Sequence, residues 1–186
     1  MCGIAGFYNP DTDYTAESLK WKHILDNMNH AQKRRGPDDE GTYLSSHCGL
    51  AHVRLEIIDL VTGQQPMVRK AAGRECAIIF NGEIYNMKEL KTELQAEGTS
   101  FYTTSDTEVI LAGYMLHGKD YIKRLNGIFA IALWDSAAAQ LQLFRDRLGV
   151  KPLFYTRKNE AFIFSFSKKT LFQCLHFFWI LIFNAS

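Results

Sequence analysis

The sequence predicts an α+β fold in which helices pack on the faces of antiparallel sheets. Strand-like apolar runs outnumber helical segments, and the later runs follow one another with only short polar breaks, as hairpin-connected strands do. The chain has 186 residues, of which 47% are hydrophobic, so it can bury one sizeable core. We expect one domain over residues 2–167, followed by a divergent apolar tail over residues 168–186.

The first third of the chain alternates strands with one helix. A short apolar run over residues 3–8, ended by Asn9-Pro10, predicts a strand that begins beside Cys2. A helix follows, because apolar residues recur at helical spacing until a basic turn, a glycine and a proline at residues 33–37 end the pattern. The residues that share this face are Trp21, Ile24, Leu25 and Met28. Two further strands are predicted, at residues 41–44 and 49–53.

The rest of the chain adds two helices and more strands. A strand at residues 76–80 is joined to Ile84-Tyr85 through Asn81-Gly82, a dipeptide that predicts a hairpin turn. A helix is predicted from Met87 to Gly98. A third opens at residues 105–108, where Ser105 and Glu108 have capping-box spacing, and ends at His117-Gly118. A ladder of hairpins is predicted from the last four runs, at residues 127–134, 141–144, 153–156 and 161–165.

The bulk composition excludes several classes of function. The 21 lysines and arginines nearly cancel the 20 aspartates and glutamates, so no overall basic field attracts nucleic acid or an anionic membrane. We therefore expect a small, near-neutral metabolite as ligand. The four cysteines form no C-x-x-C pair and the six histidines no H-E-x-x-H motif, so we predict a reducing cytoplasm and no metal. The apolar run at residues 171–183 is shorter than the ~20 residues that a membrane-spanning helix needs.

Cys2 is a candidate nucleophile because of its position in the chain. Removal of Met1 would leave a cysteine that carries both a thiol and a free α-amine. An α-amine has a reference pKa of ~7.7–8.0, so near neutral pH it can take the proton of the thiol, directly or through a water. The alternative is a buried structural cysteine near the end of the chain.

Asn81 and Gly82 have two interpretations. One is the hairpin turn, which needs no function. The other is an oxyanion hole, in which the side-chain amide of Asn81 and the backbone N–H of Gly82 stabilise a tetrahedral acyl intermediate. The glycine would let substrate approach the backbone closely.

Arg54, Glu83 and Asp106 carry charges that suit an amino acid. Arg54 ends a predicted strand and Asp106 lies in the first turn of a predicted helix, where each is commonly a surface residue. An amino acid such as glutamine, however, presents an α-carboxylate that fits a bidentate guanidinium and an α-ammonium that fits a carboxylate. Arg54 is thus a candidate for the first contact, and Asp106 or Glu83 for the second.

Six sequence blocks in a fixed order carry a family resemblance over residues 1 to about 166. They resemble the N-terminal domain of glutamine-hydrolysing asparagine synthetases. The resemblance implies an N-terminal-nucleophile hydrolase fold, a four-layer α-β-β-α sandwich with two antiparallel sheets. The blocks are Met1-Cys2-Gly3-Ile4-Ala5-Gly6, Arg35-Gly36-Pro37-Asp38, Ala51-His52-Val53-Arg54-Leu55, Asn81-Gly82-Glu83-Ile84-Tyr85-Asn86, Ser105-Asp106-Thr107-Glu108-Val109 and Arg145-Asp146-Arg147-Leu148-Gly149-Val150-Lys151-Pro152.

The resemblance also implies roles for the candidate residues. Cys2 would be the nucleophile, and Asn81 and Gly82 the oxyanion hole. Arg54 would hold the carboxylate of glutamine, and Glu83 and Asp106 would be the polar partners at the end that carries the α-ammonium.

The sequence departs from the family in two ways. It contains nothing like the ATP-pyrophosphate loop of the synthetase domain, and the resemblance stops after residues 164–167, so we expect a truncated member. We then expect no cofactor here, since ATP and Mg²⁺ would serve only the synthetase domain. The expected partners are glutamine and a separate synthetase domain or subunit that accepts the ammonia. A catalytically idle remnant or interaction module, and a cysteine amidase acting on another amide, stay as alternatives.

Overall fold

The computed structural model describes residues 2–55 and 63–183, with side chains as far as residue 175. Over these residues the chain has nine strands, four α-helices and two antiparallel sheets, which confirms the predicted α+β class. The α-helices are α1 (Ser18–Gln32), α2 (Met87–Ala96), α3 (Asp106–His117) and α4 (Lys168–Phe183). The strands are β1 (Gly3–Tyr8), β2 (Asp39–Leu44), β3 (Cys48–Arg54), β4 (Met67–Ala71), β5 (Arg74–Ile84), β6 (Gly127–Asp135), β7 (Gln140–Arg145), β8 (Phe154–Lys158) and β9 (Ala161–Ser165).

The chain separates into two compact units, and each unit has its own sheet and helices. The first unit comprises Met1–Leu55 and Pro152–Ser186, and the second comprises Glu56–Lys151. The sheet of the first unit has the strand order β2-β3-β1-β9-β8, and that of the second has the order β4-β5-β6-β7.

In the first unit, β1 lies in the middle of the sheet. It pairs with β3, where Gly3 lies opposite Val53, and with β9, where Ala5 lies opposite Ser165. Because successive side chains of a strand point to opposite faces, Ala5 and Phe7 pack on one face in a cluster that includes residues of α1. Ile4, which precedes Ala5, is fully buried and points to the other face.

The apolar tail contributes to this core through α4. Leu171 and Cys174 belong to the same buried cluster as Ile24 and Met28 of α1. The first turns of the tail therefore stabilise the first unit, while residues 184–186 lie outside the described part of the chain, and the boundary after residue 167 stays a prediction. Within residues 2–55 and 63–183, no helix is long and apolar enough to cross a membrane.

In the second unit, β5 runs without a break through Asn81 and Gly82, so the predicted hairpin turn there is wrong. Asn81 lies opposite Ala130 of β6, and Gly82 lies opposite Phe129. A type I′ turn needs positive φ at both central residues, and this is found instead at Ala72 and Gly73, between β4 and β5 (φ 50° and 77°). Gly82 lets β5 and β6 lie close together, since a Cβ at this position would lie 2.2 Å from the carbonyl oxygen of Ile128.

The predicted ladder of four hairpin strands is also wrong as a single ladder. β6 and β7 form one hairpin in the sheet of the second unit, whereas β8 and β9 form another in the sheet of the first. The chain after β7 is held in a loop because the buried Asp146 carboxylate accepts hydrogen bonds from the backbone N–H groups of Phe129, Val150 and Lys151. The central strand β1 then provides the partner for β9.

The predictions for α2 and α3 are confirmed, but the capping box of α3 is only half formed. The Ser105 side chain accepts from the Thr107 N–H at 3.2 Å. The Glu108 side chain does not accept a hydrogen bond from the Ser105 N–H, as a complete capping box requires. Its carboxylate accepts instead from the N–H groups of Tyr102 and Thr103 and from the Thr103 hydroxyl, and so fixes the loop that enters the helix. Sequence analysis did not predict β4 or the 3-10 segments Lys33–Arg35 and Gly118–Arg124.

Candidate active site

The first unit brings Cys2 and Arg54 to the same end of its sheet. Gly3 lies opposite Val53, so the next residues outward along the two antiparallel strands are Cys2 and Arg54. Side chains directly opposite each other in such a pair have Cβ atoms roughly 4.5–5.5 Å apart and lie on one face. Cys2 is partly buried, and Arg54 is only 8% exposed. The predicted nucleophile and the predicted carboxylate clamp are therefore neighbours.

The Arg35-Gly36-Pro37-Asp38 block supports Arg54. The Asp38 N–H donates to the Arg54 carbonyl oxygen at 3.1 Å. Gly36 packs directly on the same backbone, because a Cβ at that position would lie 2.5 Å from backbone atoms of Arg54. This block of the resemblance thus has a structural explanation, since it fixes the strand end that carries the guanidinium.

Cys2 is the cysteine that remains accessible among those described. The thiols of Cys48, Cys76 and Cys174 are fully buried. Burial raises the pKa of Cys48 well above its ordinary value, that of Cys76 to about 11 and that of Cys174 to about 12. Because the thiolate is the reactive form, these three thiols are unreactive at neutral pH.

In the second unit, Asn81 presents an unsatisfied amide. Phe80 packs in the core with α3, so the next residue, Asn81, points to the opposite face of β5, where it is 2% exposed. Its amide nitrogen finds no hydrogen-bond acceptor within the described part of the chain. A buried donor left without an acceptor costs about 1–3 kcal/mol, so such a group calls for a functional explanation.

Glu83 and Asp106 lie together beside Asn81 and Gly82. Asp106 is the first residue of α3, and its carboxylate accepts hydrogen bonds from backbone N–H groups, including that of Ile84 on β5. Burial raises the pKa of Asp106 to about 6; these hydrogen bonds oppose the shift, and the nearby charge of Glu83 adds to it. Glu83 is exposed. The second unit thus gathers a buried amide, a glycine backbone and two carboxylates.

Gln65 connects the two elements that carry these groups. Its side-chain oxygen accepts from the Phe80 N–H at 2.6 Å, and its amide nitrogen donates to the Thr107 hydroxyl at 3.2 Å. The bridge ties β5 to the first turn of α3 and so fixes Asp106 against β5. Sequence analysis missed Gln65, because a bridge between elements 15 and 42 residues away leaves no local pattern.

Two other residues were also missed. His52 is 1% exposed and lies two residues before Arg54 on β3, so both side chains point to the same face. His52 belongs to the block Ala51-His52-Val53-Arg54-Leu55, and this membership was the sequence feature that could have marked it as a candidate. Gln32 is 1% exposed at the end of α1, where its polarity conflicts with its burial, and no sequence signal marked it.

A large groove in the second unit does not coincide with these residues. Its volume is about 1000 Å³. It lies between the 3-10 segment Gly118–Arg124, β6 and the loop after β7, with Lys123, Arg124 and Arg147 on its walls. Among the residues that the structure describes, no group of three or more His, Cys, Asp or Glu is arranged to hold a metal ion.

Two solved structures share the fold of this chain. The chain matches the glutamine phosphoribosylpyrophosphate (PRPP) amidotransferase from Bacillus subtilis with a TM-score of 0.75 at 19% identity, over 93% of this chain and 43% of that chain. A structure of the allosteric regulatory enzyme of purine biosynthesis gives a TM-score of 0.72 at 18% identity. The fold is that of the N-terminal-nucleophile hydrolases, as the resemblance implied.

Sequence comparison identifies the family. Residues 1–179 match the glutamine amidotransferase domain family, and the chain belongs to it. Asparagine synthetase [glutamine-hydrolyzing] 3 of Bacillus subtilis (strain 168) is 41% identical over 171 residues, which are 92% of this chain and 27% of that protein. Asparagine synthetase B [glutamine-hydrolyzing] of Escherichia coli (strain K12) is 36% identical over 94% of this chain and 30% of its own length. The chain thus spans between a quarter and a third of the length of these two relatives.

Proposed function

We propose that this chain hydrolyses the side-chain amide of glutamine to glutamate and ammonia. The observation that carries the proposal is the buried amide nitrogen of Asn81, which has no acceptor in the described part of a chain that belongs to the glutamine amidotransferase domain family. An oxyanion formed from a substrate carbonyl is the acceptor that such a donor fits.

Cys2 is the proposed nucleophile and, once Met1 is removed, also the proposed base. The α-amine takes the thiol proton, and the thiolate attacks the side-chain carbonyl carbon of glutamine. The C–N bond then breaks, the leaving nitrogen receives the proton from the α-ammonium, and ammonia departs from a glutamyl thioester. Water attacks the thioester, the C–S bond breaks and the thiol is restored as glutamate leaves. Balanced in this way, the reaction consumes glutamine and one water.

The second unit supplies the proposed electrostatic groups. Asn81 and the backbone N–H of Gly82 donate to the oxygen that becomes negative in both tetrahedral intermediates. Asp106 and Glu83 bind the α-ammonium of glutamine, and in the first unit Arg54 binds the α-carboxylate. No step requires ATP or a metal ion.

The destination of the ammonia is a further proposal. The two curated relatives are named glutamine-hydrolysing asparagine synthetases, and this chain covers 27% and 30% of their lengths. We propose that the ammonia serves asparagine synthesis and that a synthetase domain or subunit with its own ATP and Mg²⁺ accepts it. A reducing cytoplasm is the proposed location, since an active thiolate is readily oxidised elsewhere. Neither a membrane nor nucleic acid enters the proposed function.

The deciding experiment measures glutamate release from glutamine by the purified chain, beside Cys2→Ala and Cys48→Ala. Cys48 is the matched control because it lies buried on β3 in the same unit. We expect hydrolysis by the parent chain and by Cys48→Ala, and none by Cys2→Ala. A folded parent chain with no glutaminase activity would favour the idle remnant. Hydrolysis of another amide in preference to glutamine would favour the other cysteine amidase.

Mass spectrometry of the active preparation tests the base. We expect the chain to begin at Cys2, because retained Met1 would turn the α-amine into an amide that cannot accept a proton. Met1 lies outside the described residues. Full activity in a preparation that keeps Met1 on every molecule would refute the role of the α-amine.

A further inference from the structure

A relay of buried amides in the first unit ends beside the residue that follows Cys2. The Asn29 side-chain nitrogen donates to the carbonyl oxygen of Gly41 on β2 at 3.1 Å. The Gln32 side-chain nitrogen donates to the Asn29 side-chain oxygen at 3.3 Å. In each amide the nitrogen donates to the next acceptor of the relay. The position of the Gln32 side-chain oxygen is therefore fixed, because the Gln32 nitrogen is held by Asn29.

That oxygen lies against the start of β1. It is 2.7 Å from the position that a Cβ on Gly3 would occupy, so it fills the space where residue 3 has no side chain. Gln32 is 1% exposed and Asn29 is 2% exposed. The oxygen has no hydrogen-bond donor among residues 2–55 and 63–183. A buried acceptor without a donor costs about as much as the orphaned Asn81 amide, so a donor is needed at this place.

The α-amine of Cys2, one residue away, is a donor of the right chemistry. As an ammonium it has three N–H groups and no acceptor function, so a neutral amide oxygen matches it without adding charge. We infer that Gln32 is a positioning residue whose side-chain oxygen accepts a hydrogen bond from the Cys2 α-ammonium, directly or through one bridging water. The inference rests on the proposed use of that amine as the base.

The protonation of the amine depends on burial, on nearby charges and on its hydrogen-bond acceptor. Cys2 is partly buried, which disfavours an ammonium, and the groups at this end of the sheet carry charges of both signs. The cations are Arg54 at the end of β3 and Arg35 in the 3-10 turn after α1, whose guanidinium lies 4.8 Å from the ring centroid of Phe166. The carboxylates are those of Asp39, which lies opposite Arg54, and Asp38, whose N–H donates to the Arg54 carbonyl oxygen. The two cations lower the affinity of the amine for a proton, whereas the two carboxylates raise it. The Gln32 oxygen is a fixed, neutral acceptor that favours the ammonium and points it in one direction.

Two substitutions at residue 32 should shift the pKa of the Cys2 α-amine in opposite directions. Gln32→Met keeps the volume and removes the acceptor, so we expect the pKa of the α-amine to fall by about one unit. Gln32→Glu keeps an acceptor and adds a negative charge, so the pKa should rise. Gln173→Met is the matched control, because Gln173 is exposed on α4 of the same unit. A purely structural residue would change stability in both variants without this opposite pair of shifts.

The measurement is competitive acylation of the α-amine between pH 5 and 9, read by mass spectrometry in the full chain with a Cys2→Ala background. In this background the thiol does not react, and the readout does not depend on turnover. Opposite shifts of the amine pKa in Gln32→Met and Gln32→Glu support the inference. An amine pKa that is unchanged in both variants overturns it, and this holds also when both variants have the same Tm as the parent chain. A parent chain that fails to hydrolyse glutamine would reject the proposed function and leave this test intact.

With Cys2 present, the same substitutions predict a kinetic pattern. The acid limb of the kcat/KM profile should move to lower pH in Gln32→Met, because a smaller fraction of the amine is protonated at any given pH. KM should stay within about twofold, since Gln32 is not proposed to contact glutamine. An acid limb that stays in place while KM rises would assign Gln32 to substrate binding and overturn the inference.

Discussion

Protonation of Asp106 should control the affinity for glutamine in a defined pH window. Burial raises the pKa of Asp106 to about 6, so the carboxylate is about nine-tenths ionised at pH 7 and about one-tenth ionised at pH 5. If the ionised form binds the α-ammonium of glutamine, Kd should rise about tenfold as the pH falls from 7 to 5. An ordinary aspartate, with a pKa of 3.8, would give almost no change over this range.

The Asp106→Asn substitution separates this effect from others. It keeps the shape and removes the charge, and a hydrogen bond to a charged group contributes about 1.5–3 kcal/mol, so Kd at pH 7 should rise roughly ten- to a hundredfold. Its Kd should no longer depend on pH between 5 and 7. Titration calorimetry in a Cys2→Ala background measures binding without turnover. Asp26→Asn, at an exposed position on α1, is the matched control and should bind glutamine as the parent does.

Removing the Asp106 charge should weaken glutamine binding but stabilise the fold. The folded-state pKa of Asp106 lies above its ordinary value, so the ionised group destabilises the fold, and the penalty grows as the pH rises from 3.8 through about 6. Asp106→Asn should therefore raise Tm at pH 7 and change it little at pH 3.5. If Asp106→Asn kept the pH dependence of the parent, the titrating group would be another residue and the assignment would be wrong.

The remaining predictions concern the oxyanion donor, the carboxylate clamp and the tail. Asn81→Ala should lower kcat by ~10²–10³-fold with little change in KM, because its amide acts on the transition state; unchanged turnover in steady-state assays would leave Asn81 as a strand residue only. Arg54→Lys should raise KM at least tenfold at unchanged fold, since an ammonium cannot make the planar two-point contact; a KM like that of the parent would contradict the clamp. Leu171→Ala should lower the free energy of unfolding by about 2–4 kcal/mol and the exposed neighbour Phe172→Ala by less than about 0.5, both measured by urea titration, because only Leu171 is buried. Equal effects would show that α4 does not pack as described.

The catalytic candidates could be found in the sequence because their chemistry is local. Cys2 is defined by its place next to Met1, and Arg54 by its place at the end of an apolar run. Strand alternation and helical spacing also located most elements, since a residue's face follows from its position in the period. These properties depend on neighbours within a few residues, which a sequence displays directly.

Pairing between distant strands could not be predicted in the same way. Asn81-Gly82 has the local preference of a turn, but β6 offers a full row of partners, and the nine pairs between β5 and β6 outweigh that preference. In the same way, β8 and β9 join the first unit because β1 is there to receive β9. Register is set by contacts far apart in sequence, so local patterns leave it open.

The sequence by itself therefore determined the α+β class, most helices and strands, and the residue types able to attack an amide and bind an amino acid. Only the tertiary structure decided how those residues are prepared. It buried Asp106 and raised its pKa, left the Asn81 amide without an acceptor in the described part of the chain, and directed the Gln32 oxygen toward the start of β1. The physical reason is that desolvation and hydrogen-bond supply depend on every element packed around a group, and those elements come together only in the folded chain.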